Sequence, residues 1–294
     1  MAHLSIIIPV FKEPFLNKTV DSILSNAKGD IEIIPVFDGV PPTVFADPRV
    51  KPIVLEHVGM RGAINAGILA STGKYLMKSD AHCCFAPGFD KVLTETCAED
   101  WVLIPRRYSL DEVLWDRVEN GSIKDYHYIT YPKQTQWGNG IFAIEWRKKS
   151  LGVKEIDDTM TFQGSCWTVN KDYFMKHVGL LDSVHYSPFG GEQLEIGLKY
   201  WLGGGQNKVT QKTWYAHLRK TKHHYNKHLF STMHKRDGPL QAGHEYLTKH
   251  FMNNEEPNMK YQFSWLIEKF WPVPSWPKKG KSGYVEKQTV REIL

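Results

Sequence analysis

The feature that most constrains this chain is the alternation of strand-like and helix-like segments over its first hundred residues. Ser5–Val10 is a continuous apolar run rather than an alternating one, as expected for a strand covered on both faces. Asn17–Asn26 follows with Val20, Ile23 and Leu24 at helical spacing. Ile31–Phe37 reads as a second buried strand, ended by Asp38-Gly39 and Pro41-Pro42, and Lys51–Leu55 as a third. Gly62–Ser71 reads as an Ala-rich helix stopped by Gly73, and Tyr75–Met77 leads a fourth strand into Ser79-Asp80. Such alternation predicts an α/β fold with a mostly parallel central sheet flanked by helices and joined by right-handed crossovers. Ligands of such sheets lie outside the carboxyl ends of the strands. Asp38 and Asp80 both fall at predicted strand ends, and that shared placement says more than either residue alone.

The middle of the chain is less regular. The stretch TYPKQTQWGNGIFAIEW predicts a loop or β-ribbon over one face, and Phe162–Val169 returns to strand character. Glu192–Trp201 predicts a helix closed by Gly203-Gly204-Gly205. Past about residue 217 the composition shifts to Lys, Arg and His, so we divide the chain into a main domain, 1–220, and a basic C-terminal extension, 221–294, packed on or beside it. With 41% hydrophobic residues and ten tryptophans, the chain can bury a large core and is excluded from the disordered class. The opening MAHLSIIIPVF is too short to span a bilayer and lacks a signal-peptide cleavage site, so we expect no membrane span. Cys83, Cys84, Cys97 and Cys166 show no disulfide framework, which favours reduced thiols and a cytoplasmic protein. The net charge of +5 suits a phosphate-bearing partner.

Three features carry chemistry. Asp80-Ala81-His82, at a strand end, puts a carboxylate and an imidazole on one side of the chain, where a divalent ion could bind and also take two diphosphate oxygens. The same tripeptide could be a helix cap followed by a surface histidine. Cys83 and Cys84 raise zinc, but no second Cys/His cluster stands at ligand spacing. In Phe189-Gly190-Gly191-Glu192, two glycines allow close backbone approach to a ligand, and Glu192 could bind sugar hydroxyls or be a favourable first-turn acid. His217, ending the strand-like Thr213–Ala216, could be a third metal ligand or a structural histidine. The basic run from His217 to Arg236 is a solvated face, a phosphate lid or a polyanion patch. Gly67–Gly73 followed by Lys74-Tyr75 misses the P-loop spacing and its Ser/Thr, and no Gly-x-Gly-x-x-Gly follows the first strand.

Taken in order, LSIIIPVFKE…LNKTVDSIL, EIIPVFDG, RGAINAGILASTGKYLMKSDAHC, TFQGSCWTVNKDYF, FGGEQLEIGLKYWLGGG and TWYAHLRK resemble segments of the family-2 glycosyltransferases and, more closely, of the polypeptide N-acetylgalactosaminyltransferases. The resemblance runs over about residues 4–220 and implies a GT-A fold. It implies that Val10, Phe11 and Glu13 line the uridine site, that Asp38 reads the base, and that Arg61 lies near the nucleotide. It further implies that Asp80, His82 and His217 hold Mn2+ or Mg2+, that Gly164, Ser165 and Glu192 contact the donor sugar, and that Arg219 and Lys220 serve the diphosphate. Glu192, Asp80 and Lys220 are then the catalytic candidates. The sequence departs from the resemblance at Phe189, where those enzymes carry Trp, and at Gln163-Gly164-Ser165, which replaces a small-Gly-Gly run.

Inverting family-2 enzymes usually carry Glu-Asp where this chain has Glu192-Gln193, and Gln193 cannot take a proton. The expectation is a metal-dependent, retaining transfer of a sugar from a UDP-sugar (GalNAc, GlcNAc or Glc type) to a hydroxyl of a carbohydrate or protein. The alternative acceptor is DNA carrying hydroxymethylated bases, suggested by the basic C-terminal third. A non-catalytic nucleic-acid-binding protein on the same fold is the third reading, which intact Asp80, His82 and His217 disfavour.

Overall fold

The computed structural model describes residues 3–135, 138–149, 154–186, 190–219 and 238–277. The predicted alternation appears as β1 (Leu4–Val10), α1 (Leu16–Asn26), β2 (Ile31–Asp38), β3 (Ile53–Leu55), α2 (Gly59–Ala70) and β4 (Tyr75–Ser79). β1 lies between β2 and β4, and β2 is flanked by β3, all parallel. Side-chain alternation along β1 sends Leu4, Ile6, Ile8 and Val10 into one core layer and Ile7 into the other. α1 contributes Leu16, Val20 and Ile23 to the first layer. α2 contributes Ala63, Ile64 and Ile68 to the second. Burial of both faces explains the unbroken apolar runs.

The sheet then continues through β5 (Cys83–Phe85), β6 (Trp101–Asp111), β7 (Asp116–Arg117), β12 (Ile156–Asp158), β13 (Cys166–Asn170) and β14 (Gln206–His217). The order is β12-β14-β6-β13-β4-β1-β2-β3, with β5 on β14 and β7 on β6. This half is mixed. β13 enters antiparallel between β4 and β6, whereas β14 runs parallel to β6. The aromatic middle segment forms two antiparallel ribbons, β8 (His127–Ile129) with β11 (Ala143–Glu145) and β9 (Lys133–Thr135) with β10 (Gly138–Gly140).

α3 (Phe89–Thr96) and α4 (Lys171–His177) cover the sheet, and α5 (Glu192–Gly203) packs beside β14. Leu194, Leu198 and Trp201 of α5 share a third apolar cluster with Leu247 and Phe251 of α6 (Gly238–Met252) and Phe263 and Leu266 of α7 (Phe263–Lys269). Residues 238–277 are thus joined to the sheet's own helix layer. The basic run beyond Arg219, including Lys220, lies outside the described residues up to residue 237. All four cysteines are buried and free. No helix among the described residues is long and apolar enough to cross a membrane.

Candidate active site

Two distant segments meet at the carboxyl ends of β1 and β4. Asp80 follows β4 directly, and its N–H donates to the Ser165 carbonyl at 2.9 Å. His82 immediately precedes β5, which pairs antiparallel with the end of β14 so that His217 stands opposite Cys83. Leu218 N–H then donates to the His82 carbonyl at 3.0 Å. That short ladder brings His217 across 135 residues of sequence to His82, with ring centroids 4.6 Å apart. One ligand atom each from Asp80, His82 and His217 lie within 4.8 Å of one another. His217 Nε2 is 3.1 Å from Asp80 Oδ2, and His82 Nε2 is 3.8 Å from the same oxygen.

The electrostatics favour ligand forms of these groups. Burial works against ionisation of Asp80, but the Lys78 ammonium and the hydrogen bond from His217 hold its carboxyl well below the usual range. Burial, with the charges of His82 and Arg107, pushes His217 down to about 3, so its ring is neutral at pH 7. One carboxylate and two imidazoles suit a first-row transition ion such as Mn2+ better than Mg2+, which prefers oxygen. The two rings are set differently. His82 Nδ1 faces Glu13 Oε2 at 3.1 Å, and a carboxylate only accepts, so Nδ1 carries a proton and Nε2 is the ring atom turned toward Asp80. At His217, Nδ1 faces Arg107 Nη2 at 3.0 Å, and a guanidinium only donates, so the proton sits on Nε2 and goes to Asp80. To serve as a ligand through Nε2, His217 would carry its proton on Nδ1 instead, where it could no longer accept from Arg107. The donor set fits a divalent ion, with His82 Nε2 turned toward Asp80 and His217 Nε2 hydrogen-bonded to it.

Lys78, two residues before Asp80 on the same strand, was not singled out from sequence, although period-two alternation puts both on one face. Its ammonium, 1% exposed, pairs with Asp80 Oδ1 and donates to the Gly164 carbonyl at 2.7 Å. Burial pulls Lys78 toward neutrality, yet the charges of Asp80 and Glu192 outweigh it and raise its pKa. Lys78 thus occupies one oxygen of Asp80 and leaves Oδ2 to the imidazoles.

Glu192 opens α5 and is 3% exposed, and its Oε2 has no hydrogen-bond partner. Gly190 and Gly191, at φ 81° and 74°, adopt the left-handed conformation that turns the chain into the helix. A Cβ at Gly164 would overlap Glu192 Oε1 and lie 2.9 Å from its Cδ, so the pair fits only with glycine there. Ser165 Oγ meets the Tyr215 hydroxyl at 2.7 Å and is buried.

Arg61, expected beside the nucleotide, is fully buried beneath that loop. It pairs with Glu195, donates to the carbonyls of Gly190 at 3.2 Å and Asp182 at 3.3 Å, and lies over the Tyr186 ring. In this arrangement it positions the turn that presents Glu192. Asp38 ends β2 and is held by Val58 N–H at 2.6 Å, Gly59 N–H at 3.0 Å and His57 Nδ1 at 2.8 Å. Phe11, just beyond Val10 of β1, packs on the His57 ring at 5.0 Å, so a half-buried Phe11 and an exposed His57 form a ring pair outside β1 and β2. His57 carried no sequence signal. Glu13 faces His82 rather than this ring pair. Arg219 is exposed, and Phe189 and Lys220 lie outside the described residues.

A half-parallel, half-mixed sheet with an Asp-x-His pair at a strand end and a distant histidine completing it is the architecture of a GT-A transferase. Residues 5–176, more than half of the chain, match the family model described as Glycosyl transferase family 2. The chain belongs to glycosyltransferase family 2. Polypeptide N-acetylgalactosaminyltransferase 6 of Bos taurus is 24% identical over 237 residues, covering 74% of this chain and 38% of that protein. The uncharacterized glycosyltransferase EpsJ of Bacillus subtilis (strain 168) is 32% identical over 105 residues, covering 33% of this chain and 30% of its own. A crystal structure of GalNAc-T7 with UDP, GalNAc and Mn2+ superposes with a TM-score of 0.55 at 18% identity, over 75% of this chain and 44% of that chain. The chain thus covers less than half the length of these relatives.

Proposed function

We propose that the chain is a divalent-metal-dependent, retaining glycosyltransferase that moves a hexose from a UDP-sugar of the GalNAc, GlcNAc or Glc type to a hydroxyl on a carbohydrate or protein. The observation that carries this reading is the convergence of Asp80, His82 and His217 beside the unpartnered Oε2 of buried Glu192. The relatives named for N-acetylgalactosamine transfer support the donor class.

Phe11 and His57 offer a ring surface for the base, with Val10 behind them. Asp80, His82 and His217 would hold the ion, which supplies positive charge to the donor's diphosphate when bound. Glu192 Oε2 accepts from a sugar hydroxyl, and Gly164 admits the sugar close to the backbone. Gln193 cannot serve as a base. Glu195, the other α5 carboxylate near the loop, is engaged by Arg61 and Lys199. Glu192, the remaining first-turn carboxylate of α5, is assigned to the donor sugar, which leaves Gln193 where a base would otherwise stand. In a retaining reaction the acceptor's proton passes to the departing diphosphate oxygen on the same face, so the protein's part is orientation and leaving-group electrostatics. The modified-DNA acceptor rests on the basic run beyond Arg219, outside the described residues, and gains no support from the fold.

The test is incubation with a panel of UDP-sugars in Mn2+, Mg2+ or EDTA, with sugar, peptide and hydroxymethylated-DNA acceptors read by mass spectrometry. Turnover indifferent to EDTA overturns the metal assignment. A β-linked product, seen in the anomeric NMR coupling, overturns retention.

A further inference from the structure

Buried guanidinium groups normally face a carboxylate, because an uncompensated charge away from water is expensive. Arg61 faces Glu195, and Arg106 faces Asp125 at 2.7 Å. Arg107 is 8% exposed, and among the described residues no carboxylate lies within ion-pair distance of it. Its Nη1 donates to Gln163 Oε1 and its Nη2 to His217 Nδ1, both neutral acceptors, and its Nε has no partner.

Its place in the sheet gives that charge a purpose. β6 and β14 run parallel with Arg107 opposite Tyr215 and Ser109 opposite His217. Alternation therefore puts Arg107, Tyr215 and His217 on one face of adjacent strands. The guanidinium touches the His217 ring on the edge opposite Asp80, and its other end reaches Gln163, next to Gly164 and hence to Glu192. It stands between the metal-type triad and the sugar-side carboxylate. The surroundings add positive charge: burial and then Arg107 lower the Lys124 ammonium, Glu145 opposes them, and Arg219 and Arg147 add smaller lowering effects. His127, packed nearby, is kept neutral by burial and by the charges of Arg107 and Lys124.

We propose that Arg107 binds the donor's diphosphate, supplying from the rigid sheet the charge-assisted hydrogen bonds that neutralise the departing nucleoside diphosphate. The proposal rests on the donor reading given above. The anion is the counter-charge that the fold withholds. With a divalent ion held at His217 Nε2, Arg107 Nη2 would lose its present acceptor and be available to a phosphate oxygen.

The test is calorimetric titration of UDP, and of uridine as the phosphate-free control, into wild type, Arg107→Met and Arg107→Lys, in Mn2+ and again in EDTA. Charge-assisted bonds of this kind correspond to about a ten- to hundredfold change in affinity. Arg107→Met should weaken UDP by that factor in Mn2+, by less in EDTA, where His217 still holds Nη2, and leave uridine unchanged in both. Arg107→Lys should recover part of the loss. The ligand-free Tm of Arg107→Met should hold or rise, since an unpaired buried charge has been removed. In Mn2+, UDP affinity within twofold of wild type in Arg107→Met overturns the assignment, as does an equal loss of uridine or a ligand-free Tm several degrees lower. If wild type binds neither UDP nor uridine, the donor reading itself falls, a result distinct from an unaffected mutant.

Discussion

Gly164→Ala tests how the sugar-side carboxylate is held. The added Cβ would overlap Glu192 Oε1 and lie 2.9 Å from its Cδ. Ordinary carbon contacts begin near 3.5 Å, so the carboxylate must retreat by about 1 Å. It has little room, because Glu192 is 3% exposed and begins a helix whose leading turn is tied to Arg61. Overpacking of this kind costs about 1–3 kcal/mol. At about 2 °C per kcal/mol for a chain of this size, the Tm should fall by roughly 2–6 °C. Catalysis should suffer more. A displacement of about 1 Å at a positioned group costs on the order of a hundredfold in rate, so kcat/KM for transfer should fall by about that factor. Ion binding by Asp80, His82 and His217 should be unchanged, since none of them contacts the new methyl group. The assay is steady-state UDP-sugar turnover, with Mn2+ binding and thermal melts in parallel. Glu192→Gln, which keeps the shape and removes the charge, separates position from charge. Wild-type turnover in Gly164→Ala with the expected Tm loss would show that Glu192 does not touch the donor, and the sugar-side assignment would fail.

Asp80→Ala and His82→Ala should each abolish Mn2+ binding and transfer with the far-UV circular dichroism spectrum preserved; Mn2+ affinity near wild type in either variant would refute the triad. Lys78→Met strips the buried partner from Asp80, and removing one member of such a pair costs about 3–5 kcal/mol. Melts should therefore show a large Tm loss in EDTA that Mn2+ restores more fully than it raises wild type, and an equal ion-induced shift in both proteins would refute the electrostatic role. His127, held down to about 3 from 6.5 chiefly by burial, binds its proton later in the folded chain than in the unfolded one. Its contribution is thus complete above pH 6.5 and lost as pH falls toward 3, by up to about 1.4 kcal/mol per pH unit. In His127→Gln, urea unfolding at pH 6.5, 5.5 and 4.5 should show a shallower loss of stability, and an unchanged slope would count against the burial argument.

What was legible in the sequence follows from how local each signal is. β1, β2, α2 and β4 declare themselves because a strand covered on both faces needs an unbroken apolar run, and the crossover fixes its direction. Asp80 and His82 are legible because they stand two residues apart just after β4, and the bend between β4 and β5 keeps them together. His217 stood out at a strand end, but its strand position alone left a structural role equally open, since its meeting with His82 depends on the antiparallel pairing of β5 with the end of β14. β6 was unreadable. Its run Trp101–Asp111 is broken by Pro105, Arg106 and Arg107, which read as loop. Yet it lies between β13 and β14, and that placement turns a charged interruption into a buried guanidinium beside the site. Asp38 and Arg61 show the converse: their motif positions are legible, yet in the structure they are engaged by Val58, Gly59 and His57 and by Glu195 and the Gly190 carbonyl. Motif position reveals where a residue stands in the fold. Which of its lone pairs or donors remain free is decided by partners that register brings from elsewhere, and on this sheet that distinction separates Lys78 and Arg61, whose charges are balanced, from Arg107, whose charge is not.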